Sequence, residues 1–172
     1  MATAAFLVFK TFGQPVITGE SQDQTYGPLG AIEPQEWGFG VSNPSTIGAG
    51  GGKAKLNQFT FKKRVDKASS ALFQYATQGL HLPEATLYIR KAAGVTPSPP
   101  TYLTYSFGLV YITDVEWSEA SGDEALAEQV TFVYGSFQIN YTPQNPDGTL
   151  NTSAKQTASW SQIQNLPIFQ TK

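Results

Sequence analysis

The chain has 172 residues, 40% of them hydrophobic and 13% aromatic, which is enough apolar material for one domain with a full core. Only 14% of residues are charged and the net charge is -2, so no basic field favours nucleic acid or an acidic membrane surface. Cysteine is absent, which excludes disulfides, thiolate nucleophiles and sulfur-ligated metals.

The apolar N-terminal run lacks a basic leader and is broken by Lys10 and Gly13 before it reaches signal-peptide or membrane-span length, so it reads as a first strand. Residues 43–53, NPSTIGAGGGK, form a glycine-rich loop. Phe59, Phe61 and Val65 then alternate as the buried face of a strand. After Asp66 and Lys67 a short helix follows, with Ser69 or Ser70 as its N-cap and Gly79 at its end. Ala68, Leu72, Tyr75 and Ala76 make its apolar stripe. At about ten residues such a helix is marginal alone in water and must dock on a sheet. Ala85, Leu87 and Ile89 resume the alternation, and residues 95–100, VTPSPP, stiffen the next connection.

Period-2 patterning dominates the second half. Leu103, Tyr105, Phe107, Leu109, Tyr111, Val115 and Trp117 share one parity, in a run long enough that Gly108 marks a place for a bend. From Val130, Phe132 and Tyr134 the apolar parity switches to Phe137, Ile139 and Tyr141, which predicts a β-bulge of one extra residue at Gly135 and Ser136. Residues 118–128 gather Glu119, Asp123, Glu124 and Glu128 into an acidic connection, while Lys62, Lys63, Arg64 and Lys67 form a basic cluster before the helix. The two clusters either face solvent or meet on neighbouring copies.

Motifs for chemistry fail on inspection. A phosphate-binding P-loop around residues 48–53 would need glycine where Ile47 stands and Ser or Thr where Ala54 stands, and a dinucleotide loop would need glycine at Lys53. His81 is the one histidine, so histidine-rich metal sites are excluded, and it reads as a loop or subunit-contact residue. Glu33 and Glu36 read as exposed strand-edge carboxylates. No catalytic residue, cofactor or metal is expected.

The expected fold class is mainly β: a small β-barrel or sandwich of two curled, antiparallel-rich sheets with one short α-helix packed on the side. The chain resembles the Hcp family, the tube protein of bacterial type VI secretion systems. The matching pieces are Gly19-Glu20-Ser21 with Asp23, Trp37-Gly38, Phe61 with Asp66-Lys67 and Ser69, Gly79, Leu87 through Ala92, Glu128 with Val130, then Tyr141, Pro143, Gln144 and Asp147-Gly148. The resemblance implies a single domain over 1–172, with loop 42–55 projecting and a short C-terminal tail at 161–172. It implies a homo-oligomer: head-to-tail hexameric rings that stack into a tube, expelled by a contractile sheath with spike proteins, and small effector proteins carried in the lumen. Nucleic acid and membrane insertion are not implied. The protein would reside in the bacterial cytoplasm before firing and then be secreted without a cleavable signal peptide.

On that resemblance the assembly-contact candidates are Ser42, Asn43, Ile47, Gly50, Gly51, Gly52 and Lys53 in the projecting loop. Lys62, Lys63 and Arg64 are set against Glu119, Asp123 and Glu124. Ala93 and Gly94, in the turn after Arg90-Lys91-Ala92, and Trp160 and Gln164, near the tail, are candidates for ring stacking. Ala93 stands where the family has the first glycine of that turn, and added residues around 12–17 and the tail sequence LPIFQTK also depart from the pattern.

Overall fold

The computed structural model describes residues 3–48, 51–91, 99–119 and 126–172. In chain order the strands are β1 (Thr3–Lys10), β2 (Glu36–Gly38), β3 (Val41–Ser42), β4 (Lys55–Leu56) and β5 (Phe59–Arg64). Helix α1 (Ser69–Gln78) follows, then β6 (His81–Lys91), β7 (Thr101–Ser118), β8 (Ala127–Tyr141) and β9 (Gln156–Ser161). Seven strands form one antiparallel sheet in the order β1-β6-β7-β8-β5-β2, with β9 also on β8, while β3 and β4 pair only with each other. The expected mainly β fold with one side helix is present. Its second sheet is reduced to the two-stranded ribbon, and the seven-stranded sheet does the curling.

One edge of β8 is shared between two partners. Residues 127–132 pair with β5 and residues 136–141 pair with β9. The inner face is dominated by aromatic side chains: Phe59, Phe107 and Phe132 are fully buried, and Phe59 stacks on Phe132 at 4.7 Å between ring centroids. Each such ring removed from water contributes about 1.5–3 kcal/mol.

The parity switches have a different origin from the one-residue bulge expected at Gly135 and Ser136. Phe107 pairs with Phe137, Gly108 with Ser136 and Val110 with Tyr134, so the register is constant and neither strand carries an extra residue there. Instead the backbone irregularity lies in β7, at the residue level with Gly135. Leu109 has φ 55°, so Phe107 and Val110 both face the core, and Tyr111, expected on the apolar parity, is 43% exposed. The register slips further on, between Ile112 and Asp114.

Two further expectations are corrected around the helix. Val65 is 42% exposed, and the position that continues the buried face of β5 after Phe59 and Phe61 is taken by Lys63. Ser69 is the first residue of α1 rather than its cap, and no side chain at the cap position bonds the helix. Asp66 Oδ1 accepts the Ala68 N–H at 2.9 Å instead, while the buried Ser69 hydroxyl turns inward to Glu128. The helix docks through Ala68, Ala71, Leu72 and Tyr75, and Gly79 ends it with φ 63° in the left-handed region.

Candidate assembly surfaces

The ribbon leaves the body at an aromatic root. Phe39 packs within 5.0–5.6 Å of the Tyr105, Phe107, Phe137 and Phe59 rings, and Asn57 N–H donates to the Gly40 carbonyl at 2.9 Å. Val41 then faces Leu56 and Ser42 faces Lys55 in a two-stranded arm. Beyond this root the side chains turn to solvent: Ser42, Asn43, Gly51 and Lys53 are exposed, Val41 is 66% exposed and Ile47 fully exposed. Asn43 Oδ1 accepts a hydrogen bond from Ser45 Oγ at 2.7 Å, and Gly52 is partly buried against Pro44, whose carbonyl oxygen would lie 2.8 Å from a Cβ there. Gly50 lies outside the described residues. An arm this short has little stability of its own and depends on its root for orientation.

The charged residues do not sort into two free patches. Lys62 Nζ pairs with Glu36 at 2.8 Å within the chain. Lys63, expected in a basic surface cluster, is 2% exposed and pairs at 2.6 Å with Glu128, itself fully buried and expected in the acidic connection. The reason is register: Lys63 and Glu128 face each other directly across β5 and β8, on the core side of both strands. Lys63 also reaches Asp66 Oδ1 at 2.7 Å, Ser69 Oγ at 3.0 Å and the Arg64 carbonyl at 3.1 Å. Glu128 accepts from Ser69 Oγ and from Trp117 Nε1, each at 2.9 Å. Four oxygens around one ammonium hold a buried cation in place, so Lys63 cannot reach a neighbouring copy. Arg64 and Glu119 are exposed, whereas Asp123 and Glu124 lie outside the described residues.

Of the stacking candidates, Ala93 and Gly94 lie outside the described residues. Trp160 sits on β9 opposite Phe137, partly buried, and its Nε1 is buried with no acceptor among the described residues. Gln164 is exposed in the turn after β9, where its N–H donates to Ser161 Oγ at 3.2 Å.

Three features escaped sequence reasoning. Residues 19–33 are stapled to the body: Arg90 forms an ion pair with Asp23, its guanidinium lies 4.7 Å from the Phe6 ring centroid, and Glu20 Oε1 accepts the Lys67 N–H at 3.1 Å. Burial lowers the pKa of Arg90 from its usual value. A Cβ on Gly19 would lie 2.3 Å from the Ala31 carbonyl oxygen, so glycine is required there for the loop to close on itself. His81 opens β6 between the rings of Phe12 and Tyr111, at 5.5 and 5.8 Å, and no hydrogen bond or ion pair joins its side chain to another described residue. Finally, the C-terminal tail folds back onto β8.

The residues that could suggest chemistry are engaged structurally. An open groove of about 540 Å³ is lined by Glu20, Ser21, Glu33, Arg64 and Asp66 among others. Glu20 and Asp66 accept backbone amides there, and Glu33 accepts the Ser21 hydroxyl at 2.5 Å. Glu36 pairs with Lys62, so Glu33 and Glu36 have separate partners. No group of three or more His, Cys, Asp or Glu side chains that could hold a metal ion occurs among the described residues.

A curled antiparallel sheet with a packed aromatic interior, one side helix and a projecting arm defines a half-barrel β domain. Residues 6–141 match the family model described as "Type VI secretion system effector, Hcp". The curated Protein hcp1 of Pseudomonas aeruginosa is 33% identical over 96 residues, covering 56% of this chain and 58% of that protein. Among solved structures, a type six secretion system protein superimposes with a TM-score of 0.83 at 26% identity, covering 97% of this chain and 100% of the other. Hcp1 from Salmonella typhimurium gives a TM-score of 0.75 at 29% identity, covering 98% and 100%. The chain belongs to the Hcp family of type VI secretion tube proteins. No described helix is long and apolar enough to cross a membrane.

Proposed function

We propose that this chain, one domain over 1–172, is a ring-forming subunit of the secretion tube: six copies close head to tail, rings stack, and the stack is expelled from the cytoplasm by the sheath behind its spike, with small effectors in the lumen. The role is mechanical and not enzymatic. Hexamer closure requires each copy to offer two different surfaces to its neighbours.

The observation that carries the reading is the β3–β4 ribbon, an arm rooted in the aromatic core, on which Val41 is 66% exposed and Ile47 fully exposed within the single chain. Ser42, Asn43, Ile47, Gly50, Gly51, Gly52 and Lys53 would lie against an adjacent copy. Arg64 and Glu119, with Asp123 and Glu124, remain candidates for polar contacts between copies, and Lys62, half exposed beside Glu36, has donors left to contribute. Ala93, Gly94, Trp160 and Gln164 are assigned to stacking. Because Phe59, Phe107 and Phe132 fill the interior, the outside of the sheet is the surface left for function.

Light scattering of the purified chain tests this reading. A mass near six times 18.6 kDa, with ring-shaped particles in negative stain, is expected. Replacing the ribbon tip by a two-residue turn should return the monomer. A monomer across the full concentration range in the intact chain would overturn the proposal.

A further inference from the structure

Gly108 on β7, Ser136 on β8 and Ser161 on β9 form one row across three paired strands, because Gly108 faces Ser136 and Ser136 faces Ser161 in the register. By alternation the row lies on the face opposite Phe107 and Phe137. Both serines are fully buried, and Gln170 is bonded to both. Its N–H donates to Ser136 Oγ at 3.0 Å, its carbonyl accepts from the same hydroxyl, and its Oε1 accepts from Ser161 Oγ at 3.2 Å. A Cβ on residue 108 would stand 2.0 Å from the Gln170 carbonyl oxygen, so the seat exists only because that position is glycine. Ile163 packs over Gly135 in the same way, 2.5 Å from where a Cβ would be.

The same segment touches the root of the ribbon. Gln162 donates its N–H to the Gly135 carbonyl at 2.9 Å, and its Oε1 accepts the N–H of Leu56, the last residue of β4, at 2.6 Å. Between this contact and the Gln170 seat, Ser161 and Leu166 exchange backbone hydrogen bonds at 2.8 and 3.3 Å, which close the turn. Seat, turn, Gln162 and Leu56 therefore form one unbroken chain of contacts running from the sheet to the arm.

We propose that residues 161–172 are a strap that sets the pose of paired β3 and β4: Gln170, seated on the Gly108, Ser136 and Ser161 row, holds the turn that presents Gln162 to Leu56. A two-stranded ribbon cannot hold its own direction, and its root bonds decide it. The consequence for assembly rests on the reading of the ribbon as a subunit contact, whereas the coupling between tail and ribbon does not.

The test is native-state hydrogen exchange on the full chain at one fixed concentration, read at the Leu56 and Gln170 amides, with light scattering of the same proteins across a dilution series. Ser136→Ala and Gly108→Ala should each raise exchange about tenfold at both amides, the size expected for one lost hydrogen bond. Gln162→Ala should raise it at Leu56 alone. In Ser136→Ala the rings should also dissociate at a higher protein concentration than in wild type. Faster exchange at Gln170 with Leu56 unchanged would overturn the coupling, as would an unprotected Gln170 in wild type. Rings that persist unchanged while Leu56 exchange rises would overturn the role of the strap in assembly. A chain that is monomeric throughout would sink the ribbon-contact reading and leave the exchange result to decide the coupling alone. Ser136→Ala adds no atoms, so it carries the test if Gly108→Ala fails to fold.

Discussion

Truncating Glu128 to alanine is expected to be among the most damaging single changes in this chain. Its carboxylate is fully buried and accepts from Lys63 Nζ at 2.6 Å and from Ser69 Oγ and Trp117 Nε1 at 2.9 Å. Removing it leaves the Lys63 ammonium, 2% exposed, with Asp66 as its one remaining carboxylate, and strands the indole N–H. Breaking a buried ion pair from one side costs about 3–5 kcal/mol, so Glu128→Ala and Lys63→Met should each lose that much. The double variant Lys63→Met with Glu128→Ala removes both charges together and should recover about 2–3 kcal/mol relative to the sum of the singles. Urea unfolding of all four proteins, at one concentration so that assembly does not shift the midpoints unequally, gives the cycle. Losses under about 1 kcal/mol that simply add would mean the pair behaves as a solvated surface bridge, and the argument from burial would be refuted.

Other perturbations separate local causes. Leu72→Ala, which empties a fully buried position under α1, should cost about 2–5 kcal/mol in thermal or urea unfolding. Arg90→Lys keeps the charge but loses the planar group over Phe6, and should destabilise the 19–33 loop enough for limited proteolysis to cut there first. Burial holds the phenols of Tyr26, Tyr75, Tyr105 and Tyr134 above their ordinary value of 10.0. The folded chain therefore binds more protons than the unfolded chain once pH passes 10.0, and stability should be full below that pH and fall as it rises further. Tyrosinate absorbance that appeared at pH 10 without unfolding, from all eight tyrosines, would contradict this.

Much of the fold was legible because it rests on local rules. The alternation of Ala85, Leu87 and Ile89, the stripe of Leu72 and Tyr75 and the glycine at 79 each depend on a few neighbouring residues, and each appears where expected. The errors fall where one residue obeys a distant partner. Lys63 reads as a surface charge because nothing within β5 reveals Glu128 across the sheet, 65 positions on. Ser69 reads as a cap because a serine before a helical stripe ordinarily is one, yet here its hydroxyl completes that same buried network. Gly108 and Gly135 read as separate irregularities, although Leu109, where β7 departs from regular backbone, sits beside Gly135 across β7 and β8.

The candidate site divides in the same way. The glycine-rich stretch at 43–53 reads as a loop from composition, whereas its projection from the body was implied by the family resemblance. The tail LPIFQTK, by contrast, shows only that something follows β9. That Gln170 finds a seat made of Gly108, Ser136 and Ser161 depends on three strands brought into register from positions far apart in the chain. Periodicity and composition are short-range properties, so the class of elements, their order and the absence of cysteine chemistry could be read from the residues in line. Which charges are buried together and where the tail lies could not, because those contacts join residues that come near each other after the sheet has curled.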